Sequence, residues 1–296
     1  MTNSKPIWHR IIVVNVDRDL YLRTFSFYLN IVPLLYLKIF TLLEKGGIDV
    51  VAMGDFRSRL WGVIYRFFMG KRLWLLDDGI ALLNFYRHEQ GRLIMDPALL
   101  EREYMQIGRT YLKKNSEGRI VFKTFLTVDT VHPFSSERVD LTKTFAFAKS
   151  SSQGIDHNLV FFVGAKLIEE KIMSSNDYMN ICAEVARHLP NKKIIYFPHR
   201  EESNESVTNI KEFMGFEIVR PDLPLEFYVC DQRVLPGSLV GFSSAAICTI
   251  ADIYPSLDVH LIELNSLNLD AEMREVFDVC HAYIKSLSNV VSIIRI

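Results

Sequence analysis

The feature that most constrains this chain is a rhythm. Short runs of β-branched, aliphatic and aromatic residues stop abruptly at polar clusters, and stretches long enough for helices separate them. In the first half the runs fall at residues 11–14 (IIVV), 48–53 (IDVVAM) and 73–76 (LWLL), with helix-length segments at about 22–45 and 57–69. In the second half they recur at 159–163 (LVFFV), 193–197 (KIIYF), 216–219 (FEIV), 239–242 (LVGF) and 259–264 (VHLIEL). Helices are expected between them at 175–188, capped by Ser174 or Ser175, near 206–214, and from Ser243-Ser244 onward. Apolar runs with little polar alternation belong to strands buried on both faces. Strands that alternate with helices therefore predict parallel sheets covered on each side.

A polar stretch at 149–156 (KSSSQGID) interrupts the rhythm and is the best linker. It divides the chain into residues 1–150 and 151–296. The expectation is an α/β fold of two Rossmann-like domains facing each other across a cleft. In open α/β sheets, ligands sit beyond the carboxyl ends of the strands. Four polar clusters fall at such ends: Asp77-Asp78-Gly79, Gly164, Pro198-His199-Arg200-Glu201 and Ser243-Ser244.

Composition narrows the function classes. With 49% hydrophobic residues among 296, the chain is neither disordered nor a disulfide-stapled miniprotein. Its 34 Lys and Arg against 35 Asp and Glu leave a formal charge of -1, which gives no support to nucleic acid as a partner. Cys182, Cys230, Cys248 and Cys280 are widely separated, without a CxxC pair. They read as buried thiols of a reducing compartment, and the expected location is cytoplasmic. Residues 1–8 lack a secretory apolar core. The most apolar stretch, 28–43, is broken by Pro33 and Lys38 and is shorter than the ~20 residues of a spanning helix. It reads as a buried or interface helix, which leaves a homodimer surface or a peripheral inner-membrane contact open.

Each polar cluster admits a plain reading and a chemical one. Asp77-Asp78-Gly79 is a turn or cap, or it offers a carboxylate as general base to a hydroxyl. His199 is a solvated loop histidine, or an imidazole that donates to a phosphate. Ser243-Ser244 is a simple helix N-cap, or a phosphate seat made of hydroxyls and unpaired helix N–H groups. His132-Pro133 is a further histidine without a following helix pattern. The histidines show no metal-ligand spacing with Cys or acidic neighbours, so no metal is expected. The phosphate loop GxxxxGK[ST], a strand followed by GxGxxG, and a GxSxG elbow are all absent from the sequence.

Taken in order, Asp77-Asp78-Gly79, Pro198-His199-Arg200-Glu201 and Ser243-Ser244 resemble the acid-acid-Gly, His-Pro and Ser-Ser motifs of bacterial sialyltransferases. The groups concerned are the lipooligosaccharide sialyltransferases and the capsular polysialyltransferases. Here Pro198 precedes the histidine, where the family has a proline after it. The resemblance implies the two-domain GT-B architecture, with an acceptor-side domain first and a nucleotide-sugar domain second. It implies an inverting transfer of sialic acid, or a related nonulosonic acid, from a cytidine-monophosphate (CMP) donor to a bacterial surface glycan. Neither a metal nor another cofactor is implied. Asp77 would be the general base, Asp78 its partner, and Gly79 part of the same motif. His199 would stabilise the departing CMP, and Ser243 and Ser244 would hold its phosphate. Glu226 would bind the donor ribose, while Gly164, Arg200 and Glu201 would line the donor side. A transferase or epimerase using another nucleotide sugar, and a non-catalytic glycan-binding or assembly protein, stay open as alternatives.

Overall fold

The computed structural model describes residues 49–54, 72–76, 83, 85–89, 92–96, 98, 120–126, 128–129, 134–146, 154–264, 271–287 and 290–295. The strand expected at 11–14, the helices expected at 22–45 and 57–69, and the apolar stretch 28–43 lie outside them. So do Asp77, Asp78, Gly79, His132 and Pro133.

Strands β1 (Val50–Met53) and β2 (Arg72–Leu76) coincide with two of the expected runs. An antiparallel hairpin, β3 (Tyr86–Glu89) and β4 (Arg92–Met95), follows them. Then come β5 (Ile120–Thr124), β6 (Phe134–Arg138) and a single helical turn, α1 (Leu141–Thr144). Strands β1, β2, β5 and β6 form a parallel sheet in that order.

The rest of the chain builds a second parallel sheet. In sequence its elements are β7 (Gly154–Val163), α2 (Ser175–His188), β8 (Lys193–Phe197), α3 (Asn204–Met214), β9 (Glu217–Ile218), α4 (Leu225–Asp231), β10 (Val234–Gly241), α5 (Ala245–Ile253), β11 (Asp258–Glu263), α6 (Ala271–Lys285) and β12 (Val290–Arg295). The strand order is β12-β11-β10-β7-β8-β9. Counted from β7, it reads 3-2-1-4-5-6, the doubly wound nucleotide-binding order, whose direction reverses between β7 and β10.

Alternate residues of these strands face opposite sides. Val160, Phe162, Ile194, Tyr196, Val240 and Ile262 join Tyr178, Ile181, Cys182 and Val185 of α2 in one core. Phe161, Val163, Ile195, Phe197, Leu239 and Leu261 belong to the other core, with residues of α4, α5 and α6. That second core also contains Leu73, Leu75 and Phe122 of the first sheet. The helices form where expected because their caps and stripes agree. Ser174 Oγ accepts the Asp177 N–H, and α2 buries Tyr178, Ile181, Cys182 and Val185 at helical spacing. All four cysteines are buried, and none forms a disulfide. Among the described residues no helix is long and apolar enough to cross a membrane.

Two expectations require correction. The end of the 149–156 linker is already strand, because β7 starts at Gly154. Gly154, Ile155 and Asp156 pair with Val234, Leu235 and Pro236. Their side chains are exposed, so backbone pairing makes this a strand and an apolar pattern could not reveal it. Strand β10 likewise begins at Val234, well before 239, and passes through Pro236-Gly237 by a shift of register. A Cβ at Gly237 would lie 2.6 Å from His157 Cα, so only glycine allows the two backbones to come this close.

Candidate active site

The register of the second sheet sets the site. Phe197 of β8, Val163 of β7, Gly241 of β10 and Leu261 of β11 lie side by side. Two residues further along each chain come His199, Ala165, Ser243 and Glu263, all at the carboxyl edge of the sheet. β8 and β10 flank β7, so two strand spacings, about 10 Å, separate the His199 and Ser243 lines. Gly164 and Ser243-Ser244 therefore flank the switch point of a doubly wound sheet, and His199 stands one strand further along the same edge. Asp77, Asp78 and Gly79 follow β2 in sequence and lie outside the described residues.

His199 is half-buried, and its Nδ1 accepts the Glu201 N–H at 3.2 Å. That bond occupies the Nδ1 lone pair and places the ring proton on Nε2, which is left as a donor. Burial lowers its pKa, while the Glu201 carboxylate pulls the other way. The neutral Nε2–H form is thus favoured at neutral pH. Lys166 Nζ holds Glu201 at 2.6 Å and Glu170 at 2.7 Å. This hydrogen bond depresses the Glu201 carboxyl. Arg200 projects into solvent, 87% exposed, and its Nε lies 3.8 Å from Glu201. It is positioned to meet an anion but is not built into the protein.

Behind His199 lies a residue that sequence reading passed over. Glu202 is 5% exposed and accepts the His199 N–H at 2.5 Å and the Tyr196 hydroxyl at 2.7 Å. Burial raises its carboxyl to about 7. Gly164 is the residue against which Tyr196 and Glu202 close. Its N–H donates to Phe197 O at 2.9 Å, and a Cβ there would run into both the Tyr196 hydroxyl and the Glu202 carboxylate. Gly164 therefore acts through close packing of this turn. Gly164→Ala should lower stability by about 1–3 kcal/mol, a typical cost of over-packing. A melting curve checks it, and an unchanged midpoint would mean that the turn is not tight.

Ser244 caps α5, its Oγ accepting the Ile247 N–H at 3.3 Å. The Cys248 N–H goes to Ser244 O. The Ala245 and Ala246 N–H groups are thereby left as the outward donors of the first turn. Ser243 Oγ lies 3.4 Å from His281 Nδ1, and His281 Nε2 lies 3.0 Å from Glu263 Oε1, off the line of a hydrogen bond. Glu263 also takes Lys285 Nζ at 2.7 Å and Arg295 Nε at 2.9 Å, and its carboxyl falls to about 2. His281 is separated from Ser243 by 38 positions, so no local pattern joins them. Glu226 sits half-buried in the first turn of α4, and burial raises its carboxyl. Among the described residues it forms no ion pair, and no group of three or more His, Cys, Asp or Glu could hold a metal ion.

No protein-family model matches the chain, and no curated protein matches it in sequence. Among solved structures, it is similar to the α/β-galactoside α-2,3-sialyltransferase of the luminous marine bacterium Photobacterium phosphoreum. The match covers 90% of this chain and 84% of that one, with a TM-score of 0.51 and 9% identity. The likeness is one of fold. It supports a sialyltransferase-like α/β fold. At this identity it does not reach individual motif residues.

Proposed function

We propose that the chain is a sialyltransferase-type glycosyltransferase of GT-B architecture, inverting and metal-independent. Its donor is a CMP-activated sialic acid or related nonulosonic acid, and its acceptor is a bacterial surface glycan. One observation carries the reading most. His199, whose Nε2–H meets no acceptor among the described residues, stands level with the Ser243-Ser244 helix start at the carboxyl edge of a doubly wound sheet. The sialyltransferase-like fold supports the same reading.

The chemistry fits these groups. As the bond to the anomeric carbon breaks, positive charge develops on the sugar and negative charge on the leaving phosphate. Preorganised donors stabilise the phosphate where that charge appears. His199 Nε2–H, the Ser243 and Ser244 hydroxyls and the first N–H groups of α5 are such donors, and Arg200 adds an exposed cation. Glu226 is a half-buried acceptor for ribose hydroxyls. Asp77, which follows the last residue of β2 in sequence, would take the acceptor proton, with Asp78 as its partner and Gly79 closing the turn. Domains at 1–150 and 151–296 would carry acceptor and donor respectively. A cytoplasmic enzyme with a peripheral inner-membrane contact or a homodimer surface at 28–43 is consistent with this role.

Thermal melting with CMP, UDP and GDP tests the donor. At a hundredfold excess over Kd, a ligand of the native state adds about 2.7 kcal/mol, so CMP should raise the midpoint clearly. A rise with UDP or GDP alone would replace the donor. No rise with any nucleotide would favour a glycan-binding protein on the same fold.

A further inference from the structure

Glu202 ends a chain of hydrogen bonds that crosses the site's floor. The Ala165 N–H donates to Tyr178 Oη at 3.0 Å, and Tyr178 Oη lies 2.8 Å from Tyr196 Oη. The Tyr196 hydroxyl donates to Glu202 Oε2, and the His199 N–H donates to Oε1. Arg220 Nη2 fixes the same residue by its carbonyl at 2.7 Å. The chain thus joins the turn after β7 to the turn after β8.

Each phenol has one proton, so the order is directional. With Glu202 ionised, Tyr196 donates to the carboxylate and Tyr178 donates to Tyr196. The free lone pair of Tyr178 then accepts the Ala165 N–H, and every group is satisfied. A proton on Oε2 reverses both hydroxyls: Glu202 donates to Tyr196, and Tyr196 to Tyr178. Tyr178 Oη then accepts from both Tyr196 and the Ala165 N–H, its own proton finds no acceptor in the chain, and a buried polar group beside the Ala165 turn is left unpaired.

We propose that Glu202 is a positioning residue whose protonation state, passed through Tyr196 and Tyr178, sets the arrangement of the Gly164-Ala165 and Pro198-His199 turns together. The titratable groups facing it are Tyr196 from β8, Tyr178 and Cys182 from α2, Glu169 from the segment after β7, Arg220 from the segment after β9, and His199 from its own turn. Burial holds both phenols well above their ordinary range and the Cys182 thiol at about 12, so these three keep their protons at neutral pH. Burial and Glu169 raise the Glu202 carboxyl, while Tyr196, His199 and Arg220 lower it. It therefore changes state near pH 7. The link to ligand rests on the nucleotide reading above: the ionised form presents the built site, and acidification loosens the Ala165 turn.

The test uses the intact protein labelled with 15N-alanine and 15N-histidine. Ala165→Gly and His199→Gln assign the two amides. Both should titrate with one midpoint near neutral pH in the unmodified protein. The Ala165 amide should be flat in Glu202→Gln, whose side-chain amide donates to Tyr196 as the protonated acid does. In Tyr196→Phe, the His199 amide should still titrate while Ala165 becomes silent. A merely structural Glu202 would not produce that split. A flat Ala165 amide in the unmodified protein would overturn the proposal, as would Ala165 titration surviving in Glu202→Gln or in Tyr196→Phe. The second arm measures CMP affinity from pH 6 to 8 as the ratio of unmodified protein to Glu202→Gln, so that titration of CMP itself cancels. The ratio should rise severalfold with pH, and a constant ratio would refute the link to the site. If CMP binds at no pH while the amides titrate as described, the relay stands and the nucleotide reading falls.

Discussion

Asp77→Ala should slow transfer to the acceptor by roughly 10²–10⁴-fold, the usual range for loss of a general base, and leave CMP affinity nearly unchanged. His199→Ala should slow transfer as well, but with a second signature. Hydrogen bonds to charged groups contribute about 1.5–3 kcal/mol, so removing the Nε2–H donor should weaken CMP binding about tenfold or more. Titration calorimetry with CMP separates the two variants. Hydrolysis of the donor without acceptor gives an independent check, because water needs no Asp77 but still needs the leaving phosphate stabilised. His199→Ala should depress that hydrolysis more than Asp77→Ala does. The mirror pattern, with Asp77→Ala losing CMP and His199→Ala keeping it, would exchange the two roles. If both variants keep full transfer, the reactive centre lies elsewhere, and His132 is the next residue to replace.

The parts of the fold that are legible in the sequence are those where side-chain burial and backbone pairing coincide. β8 at Lys193–Phe197 and α2 at Ser175–His188 match expectation residue for residue, since an unbroken apolar run and a Ser-capped amphipathic stripe mark them. The start of β7 and the Pro236-Gly237 half of β10 are hidden for the opposite reason. Their side chains are exposed, small or conformationally special, and the strand exists through its partner. β12 and α6 complete the sheet beyond the last expected strand, and α6 brings His281 to Ser243.

The candidate site divides along the same line. Gly164, His199, Ser243 and Ser244 could be named because each follows an apolar run, and strand ends are where open sheets bind ligands. Glu202 could not, because it reads as one more charged residue in the sequence HREES. Its burial depends on Gly164, 38 residues earlier, having no side chain. A signal did exist in retrospect: a glycine at the end of β7 opposite a tyrosine in β8 leaves room for a polar group between them. Whether an acid fills that room is decided by the turn after β8, where the Glu202 N–H donates to His199 O at 3.0 Å and folds the side chain inward.

That inward carboxyl makes a prediction about stability whose sign is opposite to the usual effect of replacing a hydrogen-bonded residue. The Glu202 carboxyl is raised from 4.5 to about 7 by burial. A group raised on folding contributes most to stability when protonated, below its unfolded value, and that contribution is lost as pH rises through its folded value. For Glu202 the loss runs from about pH 4.5 to about pH 7 and levels off above. At 1.36 kcal/mol for each tenfold change, the cost of ionising it at pH 8 is about 3 kcal/mol. Glu202→Gln keeps the shape, accepts the His199 N–H and donates to Tyr196 as the protonated acid does, but never ionises. The variant should therefore melt at the same temperature as the unmodified protein near pH 4.5, and roughly 5 °C higher at pH 8. The gap should open across the pH window in between. Calorimetric melts of both proteins at matched pH values measure it. A variant less stable at pH 8 would mean that the Tyr196 and His199 bonds to the carboxylate outweigh its desolvation. If stability rises while CMP affinity at pH 8 falls, the native acid is retained at the expense of stability because the site requires its charge, a trade-off expected of buried ionisable groups at binding sites.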